Sequence, residues 1–270
     1  MALRGAGRFT VRSGGLRRLQ RFAALFMPLP SLSSLPSLSS LPFLRRCTLL
    51  TGALLLALLL WDASGLDLPL ARWAGSAQGF AWRSHPGLLL WLHEVPRTLS
   101  LLAVALLLFG VLWPWGFLQR LARRDRLQLV LSILGAIAFT TAFKRFSDTS
   151  CPWDLAEFGG VARYVSHWSW GVWDGGAGHC FPAGHASAGL GFVAGWFVLR
   201  RTAAHLAAAW LWTALAVGVL LGLSQQLRGA HYLSHTLWSA WLCWSFGLAV
   251  EYAVTARQQQ QQQQHSRQPS

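Results

Sequence analysis

Charge is what this chain has least of. Only 12% of its 270 residues are Asp, Glu, Lys or Arg, against 53% hydrophobic residues. So few charges beside long apolar runs exclude an ordinary soluble domain and read as an integral membrane protein. Acid is scarcer still, nine Asp and Glu against 23 Lys and Arg, which leaves a net charge of +14. That excess does not indicate nucleic-acid binding. The basic residues sit at the termini and between apolar runs, where the positive-inside rule places them. Lysine is almost missing, since 22 of the 23 basic residues are Arg and the other is Lys144. A lone Lys in that background points to a place where a compact ammonium suits better than a guanidinium fork. The four cysteines determine little. Cys47 and Cys243 lie in apolar runs, whereas Cys151 and Cys180 share one polar segment and would be free to pair in an oxidising compartment.

Residues 1–46 carry eight Arg and no acid, and include a repeated Leu-Pro-Ser-Leu-Ser-Ser. With no helical period and much Pro and Ser, this stretch reads as a disordered extension. A basic cytoplasmic extension, or a start assigned ahead of Met27, ranks above an organellar transit peptide. Six apolar runs follow, at 47–61, 98–118, 127–143, 181–199, 203–223 and 236–254. A helix needs about 20 residues to cross the hydrocarbon layer. The last five runs meet that need, and the first is short unless it extends. The expected fold class is therefore all-α, a six-helix integral membrane bundle over 47–256, followed by a Gln-rich tail over 257–270. Arginine-rich connections alternate with others, which puts both termini in the cytoplasm and 62–97, 144–180 and 224–235 outside. Residues 85–95 are too short to span and read as a separate interfacial helix or cap. His93 and His205 read as interfacial or loop residues, and the many Trp as interface anchors.

Chemistry gathers around Phe181-Pro-Ala-Gly-His-Ala-Ser187, where a Gly-rich stretch gives way to an apolar run. Pro182 suits a first helical turn, and Gly184 permits close approach to the backbone. A helix start favours an anion, and His185 stands there able to give or take a proton. The outer ends of helices three to six concentrate Lys144, Arg145, Asp148, Asp154, His179, His185, Arg228, His231 and His235. Ionisable groups at the edge of hydrocarbon are expensive, so by default they mark function. Cations, two histidines and a helix start suit phosphoryl transfer, which needs charge neutralisation, an in-line nucleophile and an acid.

At these residues the chain resembles the type 2 phosphatidic acid phosphatase superfamily, whose pattern is K-x6-R-P, P-S-G-H and S-R-x5-H-x3-D. The first block is matched by Lys144 to Cys151-Pro152, the second by Pro182-Ala183-Gly184-His185, and the third by Ser224-Gln225 through Arg228 and His231 to His235. The likeness covers 120–250. It implies that His231 attacks phosphorus and forms a phosphohistidine, that His185 protonates the leaving group, and that Lys144 and Arg228 hold the phosphate beside Gly184 and Ala183. No metal and no other cofactor is implied.

Four departures qualify this. Cys151 stands where the pattern has Arg, leaving Arg145 or Arg163 to fill in, and Ala183 replaces Ser. Gln225 replaces the third-block Arg, and Arg228, three residues before His231, takes over if that stretch is helical. His235 replaces the Asp that orients the nucleophile; a neutral His can orient it but not stabilise its imidazolium, so Asp148, Asp154 or Glu157 is the candidate carboxylate. Plainer roles compete: Asp154 as a helix cap, or His231 and His235 as Zn ligands four residues apart. The expected protein acts on a membrane lipid phosphate or diphosphate, at the periplasmic face of a bacterial inner membrane. The resemblance implies candidates such as phosphatidic acid, phosphatidylglycerol phosphate, undecaprenyl diphosphate or lipid A, the last two favoured. Its partners are that lipid and the bilayer, not nucleic acid. The alternatives are an inactive lipid-binding or scaffold protein, a transporter, and a vanadate haloperoxidase-like protein, the last disfavoured by the spans.

Overall fold

The computed structural model describes residues 40–266. Most of them are helical. Helix α1 (Ser40–Ser64) is followed by a short α2 (Asp67–Ala74) and a minimal hairpin, β1 (Gly75–Ser76) antiparallel to β2 (Gly79–Phe80). Helix α3 (Pro86–Leu89) passes through a π turn, Leu90–Glu94, into α4 (Val95–Leu112). A 3-10 turn at Gly116–Arg120 leads to α5 (Arg123–Arg145). A long connection then holds two more 3-10 turns, Pro152–Asp154 and Ala156–Phe158. Next come α6 (Gly184–Leu190), a 3-10 turn Gly191–Gly195 and α7 (Trp196–Thr202). Helices α8 (Ala204–Leu227) and α9 (Leu233–Ser266) follow.

Among the described residues four helical stretches are long and apolar enough to cross a membrane: Pro42–Ser64, Pro86–Arg120, Arg123–Arg145 and Ala204–Leu227. Leu60, Leu101, Leu131 and Trp212 on these stretches are exposed. Apolar side chains turned outward suit lipid rather than water. The other two expected spans are helical but take a different form. The run 181–199 is broken into α6, a 3-10 turn and α7, while α9 interleaves Trp, Ser, His and Glu251 with its apolar residues.

Three sequence expectations change. The first apolar run reaches back to Ser40, so residues 40–46 are helical; the disordered extension expected ahead of them lies outside the described residues. Residues 85–95 are not a separate interfacial helix, because Pro86–Arg120 runs as one stretch. The glutamine run continues α9 instead of forming a separate tail.

Glycine explains why the 181–199 segment packs so deeply despite its breaks. A Cβ on Gly189 would lie 2.6 Å from the backbone N of Gly218, and one on Gly191 would lie 2.4 Å from Ile137. Two small faces thus let α6 and α8 approach backbone to backbone, as small residues do between membrane helices. The main apolar core lies between α4, α5, α7 and α8, around Leu107, Leu129, Ile133 and Leu199. A second apolar cluster, Phe80, Leu155, Phe158, Ala162 and Tyr232, joins the hairpin and the long connection to the residue after His231. Asp67 of α2 accepts the Ser234 N–H at 3.1 Å and also its hydroxyl, which caps the start of α9 from outside.

Candidate active site

The C-terminal end of α5, the start of α6 and the turn between α8 and α9 carry Lys144, His185, Arg228 and His231, and the fold brings them together. Ala183 precedes α6. Its N–H donates to the His235 carbonyl at 3.1 Å, and its own carbonyl accepts the Ser239 hydroxyl at 3.0 Å. Two backbone ties therefore set the register of α6 against α9, and with it His185 against His231. Phe181, just before, stacks face to face on His167 at 4.1 Å. His167 is held in turn by Asp62, whose carboxylate also accepts from Trp168 and Trp238.

Lys144 lies along Gly184. A Cβ there would sit 3.7 Å from the Lys144 Nζ, in ordinary contact. Gly184 thus keeps the ammonium close to the first turn of the helix that bears His185. Arg228 is buried and ends α8; its Nη1 donates to the Gln225 side chain at 3.1 Å and its Nε to the Arg83 carbonyl at 3.1 Å. The pairing with Gln225 three residues earlier is a one-turn contact, which fits Arg228 as the relocated arginine.

The charged groups acting on His185 are His93, Lys144, Arg228 and Arg97, and those acting on His231 are Lys144, His235 and His185. No carboxylate is among either set. His231 is buried, and burial, followed by these neighbouring charges, pushes its proton affinity well below the usual histidine value. It is therefore a neutral imidazole with a lone pair to offer.

His235 is fully buried, ringed by Phe181, His167, Tyr232 and His231, and neither ring nitrogen has a hydrogen-bond partner among the described residues. The candidate carboxylates are engaged elsewhere. Asp148 accepts the Gly171 N–H at 3.2 Å, Asp154 accepts the Cys151 N–H at 3.3 Å inside its 3-10 turn, and Glu157 pairs with Arg72. Arg145 and Arg163 are exposed, and Arg163 donates to the Trp173 carbonyl. Cys151 and Cys180 form a disulfide. Together with His231 they place two sulfurs and a ring nitrogen within 4.8 Å of one another, while His235 stands outside that group. Sulfurs bonded to each other are not thiolate ligands, so the competing zinc reading of His231 and His235 gains no thiolate from Cys180 while that disulfide is formed.

Sequence reading missed His93. Its ring lies 4.0 Å from that of His185, and its Nδ1 is 2.8 Å from Glu94. It projects from the π turn, a feature that often marks functional positions. Arg97 follows four residues later on the same face. Treating 86–118 as one helix would have exposed both. The site thus brings together a buried imidazole, a second imidazole near it, and Lys144 and Arg228, which form no ion pair with a carboxylate among the described residues. The curated proteins and the solved structures contain no match. The model of the PAP2 superfamily does match, over residues 125–259. That match spans half of the chain and takes in Lys144, His185, Arg228 and His231, so the chain belongs to the PAP2 superfamily.

Proposed function

We propose that this protein removes or transfers a phosphate from a membrane lipid phosphate or diphosphate through a phosphohistidine at His231. What carries this reading is that the strongest charge effects on His185 and His231 come from groups that are cationic or become so on protonation, and that Lys144 and Arg228 form no ion pair with a carboxylate among the described residues. Such a pocket calls for an anion, and a phosphoryl group supplies one whose equatorial oxygens need this neutralisation.

In the first step the Nε2 lone pair of His231 attacks phosphorus, and the bond from phosphorus to the leaving oxygen breaks. His185 gives that oxygen its proton. Lys144 and Arg228 hold the non-bridging oxygens, with Gly184 leaving room for them, and Arg97 adds charge at the rim. Ala183 keeps α6 in register through its backbone rather than offering a donor, since its N–H is already bonded to His235. In the second step water, or an acceptor alcohol or phosphate, gives a proton to His185 and attacks phosphorus, and the phosphorus–nitrogen bond breaks. A bound phosphate offsets the cations around His185 and so makes its protonated form accessible.

The substrate class follows from location. Lys144 ends a candidate span and Arg228 directly follows another, so the phosphate is held at the rim while an acyl or prenyl chain stays in the bilayer. The broken α6–α7 segment and α9 complete six crossings, with both termini cytoplasmic and the site at the outer face of a bacterial cytoplasmic membrane. The test is phosphate release from a panel of lipid phosphates by purified protein, with and without EDTA. Turnover unaffected by EDTA and abolished by His231→Ala is expected. No turnover on any lipid, or equal turnover by His231→Ala, overturns the reading in favour of a non-catalytic lipid-binding role.

A further inference from the structure

Among the described residues no carboxylate hydrogen-bonds the His231 ring, the nucleophile assigned above. What stands there is a cystine. Cys180 Sγ lies 3.5 Å from His231 Nδ1 and 3.0 Å from the Ala230 carbonyl oxygen. A sulfur in a disulfide carries no proton. The approach to Ala230 is therefore a packing contact, while at Nδ1 the nitrogen donates and the sulfur accepts. Its disulfide partner, Cys151, opens the 3-10 turn of the outer connection, so the bond ties that connection to the residue just ahead of Phe181.

A neutral imidazole has two tautomers, and only the one protonated at Nδ1 leaves Nε2 free to attack. We propose that the Cys151–Cys180 disulfide is the positioning group for His231, its sulfur holding the ring in the Nδ1–H form. This rests on the phosphohistidine reading. It gives the disulfide the orienting task that the family pattern assigns to an Asp where this chain has His235. A neutral sulfur orients the ring without stabilising an imidazolium, which fits a nucleophile kept neutral by its surroundings. It also makes turnover depend on redox state. Two electrons from a thiol or phosphine reductant, with two protons from the thiols or from water, convert the bond to two thiols and release Cys180 from the outer connection. An oxidising compartment preserves the bond.

The experiment measures lipid phosphate release by the full-length protein with its disulfide intact, and after reduction with tris(2-carboxyethyl)phosphine followed by reoxidation. Cys180→Ala and the double variant Cys180→Ala with His235→Asp are run alongside, with thiol state read by peptide mass spectrometry. Cys180→Ala is expected to lower kcat about tenfold or more, as loss of the correct tautomer does, with KM held within about twofold. Reduction lowers kcat reversibly, and His235→Asp restores most of the loss in the Cys180→Ala background, because a carboxylate again orients the ring. A staple with only a structural role would lower thermal stability without rescue by that carboxylate. Full activity in Cys180→Ala, a loss that His235→Asp does not rescue, or native protein with free thiols and stoichiometric zinc overturns the proposal. Where Cys180→Ala does not fold, unchanged kcat in the reduced wild-type protein overturns it. No release by the oxidised wild-type protein overturns the phosphatase reading itself, whereas release by Cys180→Ala at the wild-type kcat overturns the disulfide's role alone.

Discussion

At its N-terminal end α5 places Asp125 and Gln128 in a polar network with Arg201 and Glu251; at its C-terminal end it delivers Lys144 to a group of cations with no acid among them. In the first network every charge has a partner. Arg201 Nε lies 3.0 Å from Glu251 and its Nη2 lies 3.7 Å from Asp125, while Gln128 bridges Arg201 and Glu251 by hydrogen bonds of 2.6 and 3.1 Å. The Nε approach to Glu251 is close but off-line, so it is an ion pair rather than a hydrogen bond. In the second group Lys144, Arg228, His185 and His231 form no ion pair with a carboxylate among the described residues. The difference separates structure from function. A buried pair is complete without a ligand, whereas a cluster of one sign becomes complete only when a ligand of the other sign arrives.

Breaking each end should give opposite signatures. His231→Ala removes the nucleophile and should lower phosphate release by about 10⁴-fold or more, with circular dichroism and gel-filtration profile unchanged. Glu251→Ala removes the buried carboxylate that half-buried Arg201 faces, leaving it Asp125 and Gln128, and should cost up to about 3 kcal/mol of stability; thermal unfolding reads this, and kcat of the folded fraction is expected to stay at the wild-type level. Arg228→Ala should lower kcat/KM about 100-fold by removing one anion clamp. Gln225→Ala should lower it less, since that side chain only supports the guanidinium; a larger loss from Gln225→Ala would break the assignment of Arg228 as the relocated arginine. The smallest effect is a shift in pH dependence. The depressed proton affinity of His231 keeps it neutral below the usual histidine range, so the acid limb of kcat/KM for the wild-type protein should lie below about pH 6.5. A carboxylate beside it favours the protonated form. His235→Asp should therefore raise that limb toward neutral pH, and an unmoved limb would mean that residue 235 does not act on the nucleophile.

Much of this was legible because spacing and polarity carry it. Low charge and apolar runs announced a membrane chain, and the motif spacing picked out Lys144, His185, Arg228 and His231, which the fold brings near one another. The rest was hidden in three places. The 181–199 run looks like a single helix by hydropathy, yet Gly189 and Gly191 make contacts with Gly218 and Ile137 that no count of apolar residues reveals. His93 looked interfacial because 85–95 was judged by its own length, and only its continuity with α4 brings it to His185. Asp148, Asp154 and Glu157 were sound candidates by sequence position, but each meets a nearer partner, the Gly171 N–H, the Cys151 N–H and Arg72. Folding of an irregular loop decides such pairings, and composition does not encode them.

The central claim is that the unpaired cations surround a phosphoryl-transfer nucleophile, and trapping the intermediate tests it most directly. Purified protein mixed with a lipid phosphate labelled in its phosphate, quenched in alkali and digested, should yield one acid-labile, alkali-stable phosphopeptide containing His231. Label on His231 that is missing from His231→Ala and accumulates in His185→Ala, where turnover of the intermediate is slowed, is the predicted result. Rapid phosphate release with no label on His231, or label on another residue, would contradict it.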